Sequence, residues 1–186
     1  MTLRQEIESL TPALRRIARA LVLVDGQANT EASDDLVHET LLRALKFESP
    51  AQGITTRAWI YALLIGLNRQ HVRAHAASAG LESGAAHHLL RGNEGRSAGL
   101  RRAAGTSLPM GNAATCLQSL ELEEREAMLL VVLESLSYAQ AAQVLGLPRA
   151  TLVARLARAR ASLTACMGKG ARQDSHAAPS HLRLVR

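Results

Sequence analysis

The segment "SYAQAAQVLGLPRATLVARLARARASL", residues 137–163, constrains the fold more than any other stretch of the chain. Ser137 favours the start of a short helix, because its hydroxyl oxygen can accept a hydrogen bond from an N–H of the first turn. Gly146 favours the end of that helix, because glycine tolerates the left-handed backbone of a tight turn. Pro148 suits the opening of a longer helix. The spacing therefore predicts a helix-turn-helix.

The second helix of this motif is basic, and residues 146–163 contain no acidic residue. At about 100° per residue, its leucines fall on one face, which would dock on the preceding helices. The opposite arc and its flanks carry the polar side chains, which are Arg149, Thr151, Arg155, Arg158, Arg160 and Ser162. An acid-free arginine face would contact the phosphates and base edges of a DNA duplex. The alternative is a solvated basic helix.

The composition favours an all-α fold. Aromatic residues make up 2% of the chain, whereas Ala, Leu and Arg, which are good helix formers, are abundant. No run of β-branched and aromatic residues alternates with polar ones as a strand does. The formal net charge is +6, which is compatible with nucleic acid or with an anionic membrane surface and does not choose between them.

Glycine divides the chain into two helical parts. Seven of the 13 glycines lie between residues 77 and 115, where no continuous apolar stripe can form, so residues 77–115 are predicted to be a flexible linker. We therefore expect two small helical domains, at residues 1–76 and at residues 116–167. Residues 168–186 are polar and are predicted to be a disordered tail.

Two helix starts are predicted in the first domain. Thr11 is a favourable N-cap, and Pro12 follows it at the first helical position, where the missing N–H is not needed. Ser33 is a second N-cap, followed by Asp34 and Asp35, whose charges suit the positive end of the helix dipole. Apolar residues at helical spacing follow each start, so each predicts an amphipathic helix.

A third helical pattern, "TTRAWIYALLIGLNRQHVRAH", covers residues 55–75. Its spacing predicts that Trp59 packs inward, and that Asn68, Arg69 and Arg73 face outward near the helix end. An aromatic residue at such a position is more often part of a core than a platform on which a base stacks, because stacking needs an exposed ring.

The sequence contains no pattern typical of an enzyme. We find no glycine-rich phosphate loop, no paired catalytic carboxylates and no metal-ligating cluster, so we expect no catalysis and no cofactor. The two cysteines, Cys116 and Cys166, form neither a disulfide framework nor a metal-binding spacing, which is typical of a reduced, cytoplasmic compartment. The first residues lack an apolar segment of signal-peptide length, and no apolar run is long enough to span a bilayer.

Three motifs in this order resemble those of bacterial RNA polymerase sigma factors of the extracytoplasmic-function (ECF) type, the smallest of the sigma-70 family. The stretch "SDDLVHETLLRAL" resembles their region 2.2, and "TRAWIYALLIGLNRQHVR" resembles the helix of regions 2.3 and 2.4. The stretch "LSYAQAAQVLGLPRATLVARLARARASL" resembles the region 4 helix-turn-helix. The segment "LTPALRRIARAL" is similar to the general-stress-response branch of alphaproteobacteria.

The resemblance implies a promoter-specific initiation factor whose partners are core RNA polymerase, promoter DNA and an anti-sigma factor, without membrane association. The residues that would bind the β′ clamp helices of the polymerase are Asp35, Glu39 and Leu42. Those on the helix that approaches the melted minus-10 strand are Arg57, Trp59, Asn68, Arg69 and Arg73. Those that would contact the minus-35 duplex are Arg149, Thr151, Arg155 and Arg158.

The chain departs from the ECF pattern at Ile65, Gly66 and Gln70, where the family commonly has Arg, Asn and Asp. It departs again at residues 153–154, where Lys-Ser is common. Two other interpretations stay open. A sigma-like decoy would keep the protein-binding surfaces and titrate an anti-sigma factor while initiating poorly. An ordinary helix-turn-helix regulator would explain the second domain but not the "DDLVHET" helix.

Overall fold

The structure is a computed structural model, and it describes residues 3–24, 27–46, 53–78 and 110–174. The elements of the first part are α1 (Leu3–Leu21), β1 (Leu23–Val24), β2 (Gln27–Ala28), α2 (Thr30–Lys46) and α3 (Thr56–Ser78). Those of the second part are α4 (Met110–Gln118), α5 (Leu122–Met128), a π-helical turn (Leu129–Leu133), α6 (Tyr138–Leu145) and α7 (Arg149–Asp174). The all-α prediction is confirmed, and β1 and β2 add only a two-residue antiparallel pair between α1 and α2.

Helix α1 begins at Leu3, so the predicted start at Thr11 and Pro12 is wrong. Pro12 lies inside the helix, and the Thr11 hydroxyl donates a hydrogen bond to the Ile7 carbonyl oxygen over 3.3 Å. Ile7 and Leu14 are both buried, so the apolar stripe of α1 runs continuously past the proline. Burial of this stripe keeps the helix intact although proline cannot donate a backbone hydrogen bond.

Helix α2 begins at Thr30, so the predicted N-cap at Ser33 is also wrong. The side-chain oxygen of Asn29 accepts a hydrogen bond from the Ala32 N–H over 3.1 Å, which is the capping interaction that was expected of Ser33. Ser33 is instead buried in the first turns, and its hydroxyl donates to the Thr30 carbonyl oxygen over 2.9 Å. Asparagine and serine are equally good caps, and the earlier of the two begins this helix.

Helix α3 packs against both α1 and α2, and these three helices with the β-pair form what we call the N-terminal unit. Its buried side chains include Tyr61 and Leu64, while Trp59 is partly buried and packs against the same apolar cluster, as predicted. Asn68 is only 4% exposed, so the prediction that it faces outward is wrong. Its side-chain nitrogen has no hydrogen-bond partner among the residues that the structure describes.

Helices α4 to α7 form the C-terminal unit, in which the predicted helix-turn-helix is confirmed. The Ser137 hydroxyl accepts a hydrogen bond from the Gln140 N–H, and the Gln140 side chain accepts one from the Ser137 N–H, which completes a capping box. Gly146 ends α6 with φ of 65°, the left-handed conformation that the turn was expected to need. The N–H of Leu147 then donates to the Ala142 carbonyl oxygen over 2.9 Å and closes the turn.

The C-terminal unit is longer than the sequence indicated. Helix α4 begins at Met110, inside the predicted linker, and α7 continues to Asp174, inside the predicted tail, where Ala, Arg and Gln favour helix. Helix α3 likewise continues to Ser78, past the predicted start of the linker at residue 77. Residues 79–109 of the predicted linker and residues 175–186 of the predicted tail lie outside the described residues. Packing of α4 on α7 brings Cys116 and Cys166 to a Cα–Cα distance of 5.7 Å, and the two form a disulfide. The expectation that these cysteines form no disulfide framework is therefore wrong, and the cysteines no longer indicate a reduced compartment.

The two units pack against each other. A single cluster of buried apolar side chains contains Leu14 and Ile65 of the N-terminal unit together with Leu136 and Ala141 of the C-terminal unit. The main contact between the units is that of α3 with α6. The prediction of a flexible linker did not include this contact, which covers part of α3. Among the described residues, no helix is both long and apolar enough to cross a membrane.

Candidate nucleic-acid and polymerase interfaces

The helix-turn-helix holds α7 by its apolar face. Leu152, Leu156 and Ala159 are buried, so the remaining arc of the helix is available to other contacts. At the start of this arc Arg149 is exposed and Thr151 is half-buried. The two side chains lie in the first turn of α7, where free backbone N–H groups and the helix dipole also favour an anion such as a phosphate.

The arginines in the middle of α7 are bound by carboxylates of α5. Arg155 forms an ion pair with Glu123 over 2.5 Å, and Arg158 donates to Glu124 over 3.0 Å. The Arg155 side chain is only 11% exposed, whereas that of Arg158 is 58% exposed. The prediction that both face outward is therefore right for Arg158 and wrong for Arg155. The arginine face of α7 has no acidic residue on its own helix, but the acids of α5 lie against it.

A second observation also shows that the Arg155 side chain is buried. Its Nη1 atom is buried and has no hydrogen-bond partner within the described residues. A guanidinium has five N–H donors, and leaving one unpaired in the interior is unfavourable. Arg155 therefore has the surroundings of a packing residue. The Arg155 side chain would have to change its conformation before its guanidinium could reach a DNA phosphate.

Two arginines of α3 are bound in the same way, by carboxylates of the C-terminal unit. Arg69 donates to Glu126 through Nε over 3.0 Å and through Nη2 over 2.5 Å. Arg57 donates through Nη2 to the backbone oxygen of Glu134 over 2.7 Å and to its carboxylate over 3.4 Å. Arg73, near the end of α3, is exposed.

Glu134, which directly follows the π-helical turn, is the centre of these contacts. Its side chain is fully buried and accepts hydrogen bonds from three residues of the N-terminal unit, Arg16, Arg57 and Tyr61. The shortest arginine contact is that of Arg16, at 2.5 Å. Burial, with the hydrogen bond to Glu134, raises the pKa of Tyr61 to about 12. The Arg57 guanidinium also lies 5.7 Å from the centroid of the Tyr61 ring.

Glu126 forms a second buried centre. Its side chain is fully buried beside Arg69. Burial raises the pKa of the Glu126 carboxyl, and the hydrogen bond from Arg69 partly offsets that increase. The same hydrogen bond raises the pKa of Arg69. A carboxylate without solvent is tolerated only when charged donors satisfy it, so this pair holds α3 and α5 together.

Arg125, which directly precedes Glu126, is a structural residue. It is buried and donates to the backbone oxygens of Gln118, Leu120 and Leu21, the last over 3.2 Å. Burial lowers the pKa of Arg125 to about 10. These bonds join α5 to the end of α1, so Arg125 adds to the contact between the two units.

The predicted polymerase-binding residues lie together on one face of α2. Asp35, Glu39 and Leu42 are spaced by four and three residues, which places them one above the other. Asp35 is exposed, and Leu42 keeps 47% of its surface exposed although it is apolar. Glu39 accepts hydrogen bonds from Arg43 over 3.0 Å and contacts the His71 ring nitrogen over 2.8 Å. The contact between the two units does not cover this face.

Comparison with known proteins assigns both units. The Sigma-70 region 2 family matches residues 7–78, and the Sigma-70 region 4 family matches residues 111–163. The chain is 32% identical over 167 residues to the ECF RNA polymerase sigma factor EcfG of Rhodopseudomonas palustris (strain TIE-1), and the match covers 89% of this chain and 85% of that protein. The chain belongs to the ECF sigma factors of the sigma-70 family. As such it is a regulatory factor for promoter-specific transcription initiation.

Two further comparisons agree with this assignment. The ECF sigma factor SigC of Mycobacterium tuberculosis (strain CDC 1551 / Oshkosh) is 34% identical over 139 residues, which cover 72% of this chain and 69% of that protein. The solved structure of the sigma factor RpoE in complex with the anti-sigma factor NepR from Bartonella quintana has a TM-score of 0.66 and 26% sequence identity. That match covers 89% of this chain and 96% of that chain.

One group of residues at the interfaces of this ECF sigma factor was not predicted from the sequence. They are the acids that bind the arginines and the two further donors to Glu134, and they comprise Glu123, Glu124, Glu126, Glu134, Arg16 and Tyr61. The run "ELEERE" just before the helix-turn-helix was a visible signal for three of them. What was not visible is which arginine each acid binds. Among the described residues, no cluster of side chains could hold a metal ion.

Proposed function

We propose that this ECF sigma factor binds core RNA polymerase through α2 and promoter DNA through α3 and α7, and that it acts by binding alone, in the cytoplasm and without a catalytic step. The observation that carries the proposal is the division of surfaces. An acidic and apolar face on α2 and a basic face on α7 lie on different helices of one chain. Such a chain can hold polymerase and promoter in one geometry.

The polymerase contact is assigned to Asp35, Glu39 and Leu42. An exposed leucine beside carboxylates is a favourable anchor for a partner with basic and apolar side chains, because apolar area supplies affinity and charge supplies orientation. The β′ clamp helices are the partner that the resemblance implies. Glu39 is held in place by Arg43 and His71, so its carboxylate is positioned before binding.

The minus-35 contact is assigned to Arg149, Thr151 and Arg158, with Arg155 as a packing residue behind them. These three lie on the accessible arc of the second helix of a helix-turn-helix, which is the element that enters the major groove in such proteins. The ion pair of Arg158 with Glu124 leaves more than half of its side chain exposed. Arg158 can therefore exchange a carboxylate for a phosphate without unfolding any helix.

The minus-10 contact is assigned to α3, through Arg57, Trp59, Asn68, Arg69 and Arg73. Only Arg73 and part of Arg57 are exposed while the two units are packed together. We further propose an anti-sigma factor as a regulatory partner and a role in the general stress response. The solved complex of RpoE with the anti-sigma factor NepR supports the regulatory partner. The resemblance of the segment "LTPALRRIARAL" to the general-stress-response branch supports the role in stress.

Reconstituted transcription tests the proposal. The purified chain is added to core RNA polymerase lacking other sigma factors, with genomic promoter fragments as templates, and specific transcripts are expected. Co-purification with core polymerase without transcripts would favour the sigma-like decoy. Absence of both, with duplex DNA binding retained, would favour an ordinary helix-turn-helix regulator.

A further inference from the structure

We propose that the outer face of α7 reads thymine methyl groups of the minus-35 element by apolar contact, and that Val153 is the main residue of this contact. The inference rests on the proposed function, because it concerns the same helix and the same DNA element. It adds the chemical group that the helix recognises, since arginine contacts to phosphates position a protein on DNA but do not read its sequence.

The outer face of α7 is apolar in the middle and basic at its edges. Over residues 149–161, at about 100° per residue, the side opposite the buried Leu152 and Leu156 carries no polar side chain. We call this side the apolar arc, and its exposed residues are Ala150, Val153, Ala154, Ala157 and Ala161. Arg149 and Arg160 border the arc on one side, and Arg158 borders it on the other.

Val153 is the largest side chain of the apolar arc. It is 45% exposed and does not belong to the apolar clusters that the described residues form. A single exposed valine is common on protein surfaces and needs no explanation by itself. Val153, however, lies near the start of the second helix of a helix-turn-helix, which is the part that contacts base edges. Its position, and not its exposure alone, therefore indicates a contact with DNA.

The short side chains of the apolar arc allow α7 to lie deep in a major groove. The groove is about 12 Å wide, and an α-helix with its side chains has a diameter of about 10–12 Å. Alanines directed at the base pairs permit a close approach of the helix. The arginines on both edges of the arc can then reach phosphates of the two strands that border the groove. The charge at the edges therefore favours DNA as the partner of this apolar surface.

Recognition of bases by the apolar arc has to be apolar as well, because valine and alanine side chains neither donate nor accept hydrogen bonds. In the major groove, guanine, cytosine and adenine present hydrogen-bonding groups, whereas thymine also presents a C5-methyl group. This methyl group is the apolar feature by which a protein can distinguish one base pair from another. A contact with Val153 therefore selects thymine at the base pair that it touches.

The test removes single methyl groups from the DNA. The full-length chain is assembled with core RNA polymerase, and the probe is a promoter fragment that this complex transcribes. Each thymine of the minus-35 element is replaced in turn by uracil, which lacks only the C5-methyl group, and competition binding measures the relative affinities. We expect at least one replacement to weaken binding about fourfold, as for one apolar carbon that is no longer removed from water.

Addition of a methyl group is the reverse test. At the position that is sensitive to uracil, a cytosine–guanine pair and a 5-methylcytosine–guanine pair present the same hydrogen-bonding groups and differ only in the methyl group. We expect the methylated pair to bind about fourfold more tightly than the unmethylated one. Equal affinities for these two pairs would overturn the proposal.

Val153→Ala identifies the protein side of the contact. It shortens an exposed side chain, and alanine favours helix more than valine does, so the chain should stay folded. We expect the ratio of the affinities for the thymine and uracil probes to fall from about four to less than about two. A ratio that stays at about four would mean that another residue or the shape of the DNA is responsible, and would overturn the assignment to Val153.

Val132→Ala is the matched control. It makes the same change at a valine of the π-helical turn, which is 64% exposed and lies outside the helix-turn-helix. It should leave the ratio for the thymine and uracil probes at about four. An equal fall of the ratio in both variants would show a general change of the chain and would overturn the proposal.

Failure of the inference can be told from failure of the proposed function, and Arg149→Ala separates the two. This variant should weaken binding to all probes alike, because it removes a phosphate contact. If it does so while every uracil probe binds the wild type as the thymine probe does, α7 binds the minus-35 duplex without reading methyl groups, and only the inference fails. If no promoter fragment is transcribed, the proposed function fails, and the inference fails with it.

Discussion

Arg158→Ala and Arg155→Ala should have different effects, although both arginines lie on α7 and both bind a glutamate of α5. The Arg158 side chain is 58% exposed, so it can reach a phosphate of the minus-35 duplex. The Arg155 side chain is 11% exposed, so it serves packing instead. The first substitution should change DNA binding and the second should change stability.

The salt dependence of binding gives the magnitude. Each phosphate contact contributes about 0.9 to the slope of log affinity against log salt. Over a fourfold increase in salt, one fewer contact should reduce the loss of affinity by a factor of about 3 to 4. Arg158→Ala should show this change. In this variant Glu124 would remain unpaired and nearly buried. We therefore expect the free energy of unfolding of Arg158→Ala to be lower than that of the wild type by about 1 kcal/mol.

Arg155→Ala should leave the slope unchanged and lower the free energy of unfolding by about 1–3 kcal/mol, because a largely buried side chain and its ion pair are lost. Fluorescence anisotropy with a minus-35 duplex at several salt concentrations measures the slopes, and urea titration measures stability. Glu124→Gln is the complementary variant, and it should raise duplex affinity by freeing Arg158. A slope reduced by about one unit in Arg155→Ala would refute the division of roles.

Glu39→Arg should weaken pull-down of core polymerase at least several-fold while leaving helicity intact, and Glu8→Arg should not; equal pull-down would remove Glu39 from the polymerase face. Gly66→Asn should not lower stability, because Gly66 is exposed with no atom within 4 Å of an added Cβ, and asparagine favours helix more than glycine. If minus-10 capture is weak in the wild type, this variant should raise open-complex formation, whereas efficient wild-type open complexes would exclude the decoy. Tyr61 ionises near pH 12 when folded and near pH 10 otherwise, so its unfolded form loses the proton first. Between pH 9 and 12 the wild type should therefore lose about 2 kcal/mol more stability than Tyr61→Phe in urea titrations at each pH.

The helix-turn-helix was predictable because its determinants are local. Ser137 caps a helix through a residue three positions away, and Gly146 ends it through its own backbone angle. The starts of α1 and α2 were not predictable in the same way, because at each a favourable cap signal lies inside a helix that begins earlier. At Pro12 the preference of proline for a helix start is outweighed by the buried apolar stripe, which begins earlier in the chain. At α2 the cap is Asn29, which precedes the predicted cap Ser33.

The pairing of the arginines could not be predicted, because it is not local. Arg69 and Glu126 are 57 residues apart in the sequence, and Arg57 and Glu134 are 77 apart. Between them lies the predicted linker, whose composition contains no information on how the two units pack. The disulfide between Cys116 and Cys166 has the same character, with a separation of 50 residues. Spacing in the sequence identified α7 as basic but could not show that carboxylates of α5 pair with Arg155 and Arg158.

Separation of the N-terminal and C-terminal units should affect the two DNA surfaces unequally. Glu123 and Glu124 belong to the same unit as Arg155 and Arg158, so those pairs persist when the units separate. Glu126 and Glu134 bind across the units, so separation frees Arg69 and Arg57. Glu134→Gln should therefore strengthen minus-10 binding and leave the affinity for a minus-35 duplex within about twofold of wild type. A parallel gain on both DNA elements would mean that Glu134 acts by general repulsion of DNA and not by binding Arg57 of α3.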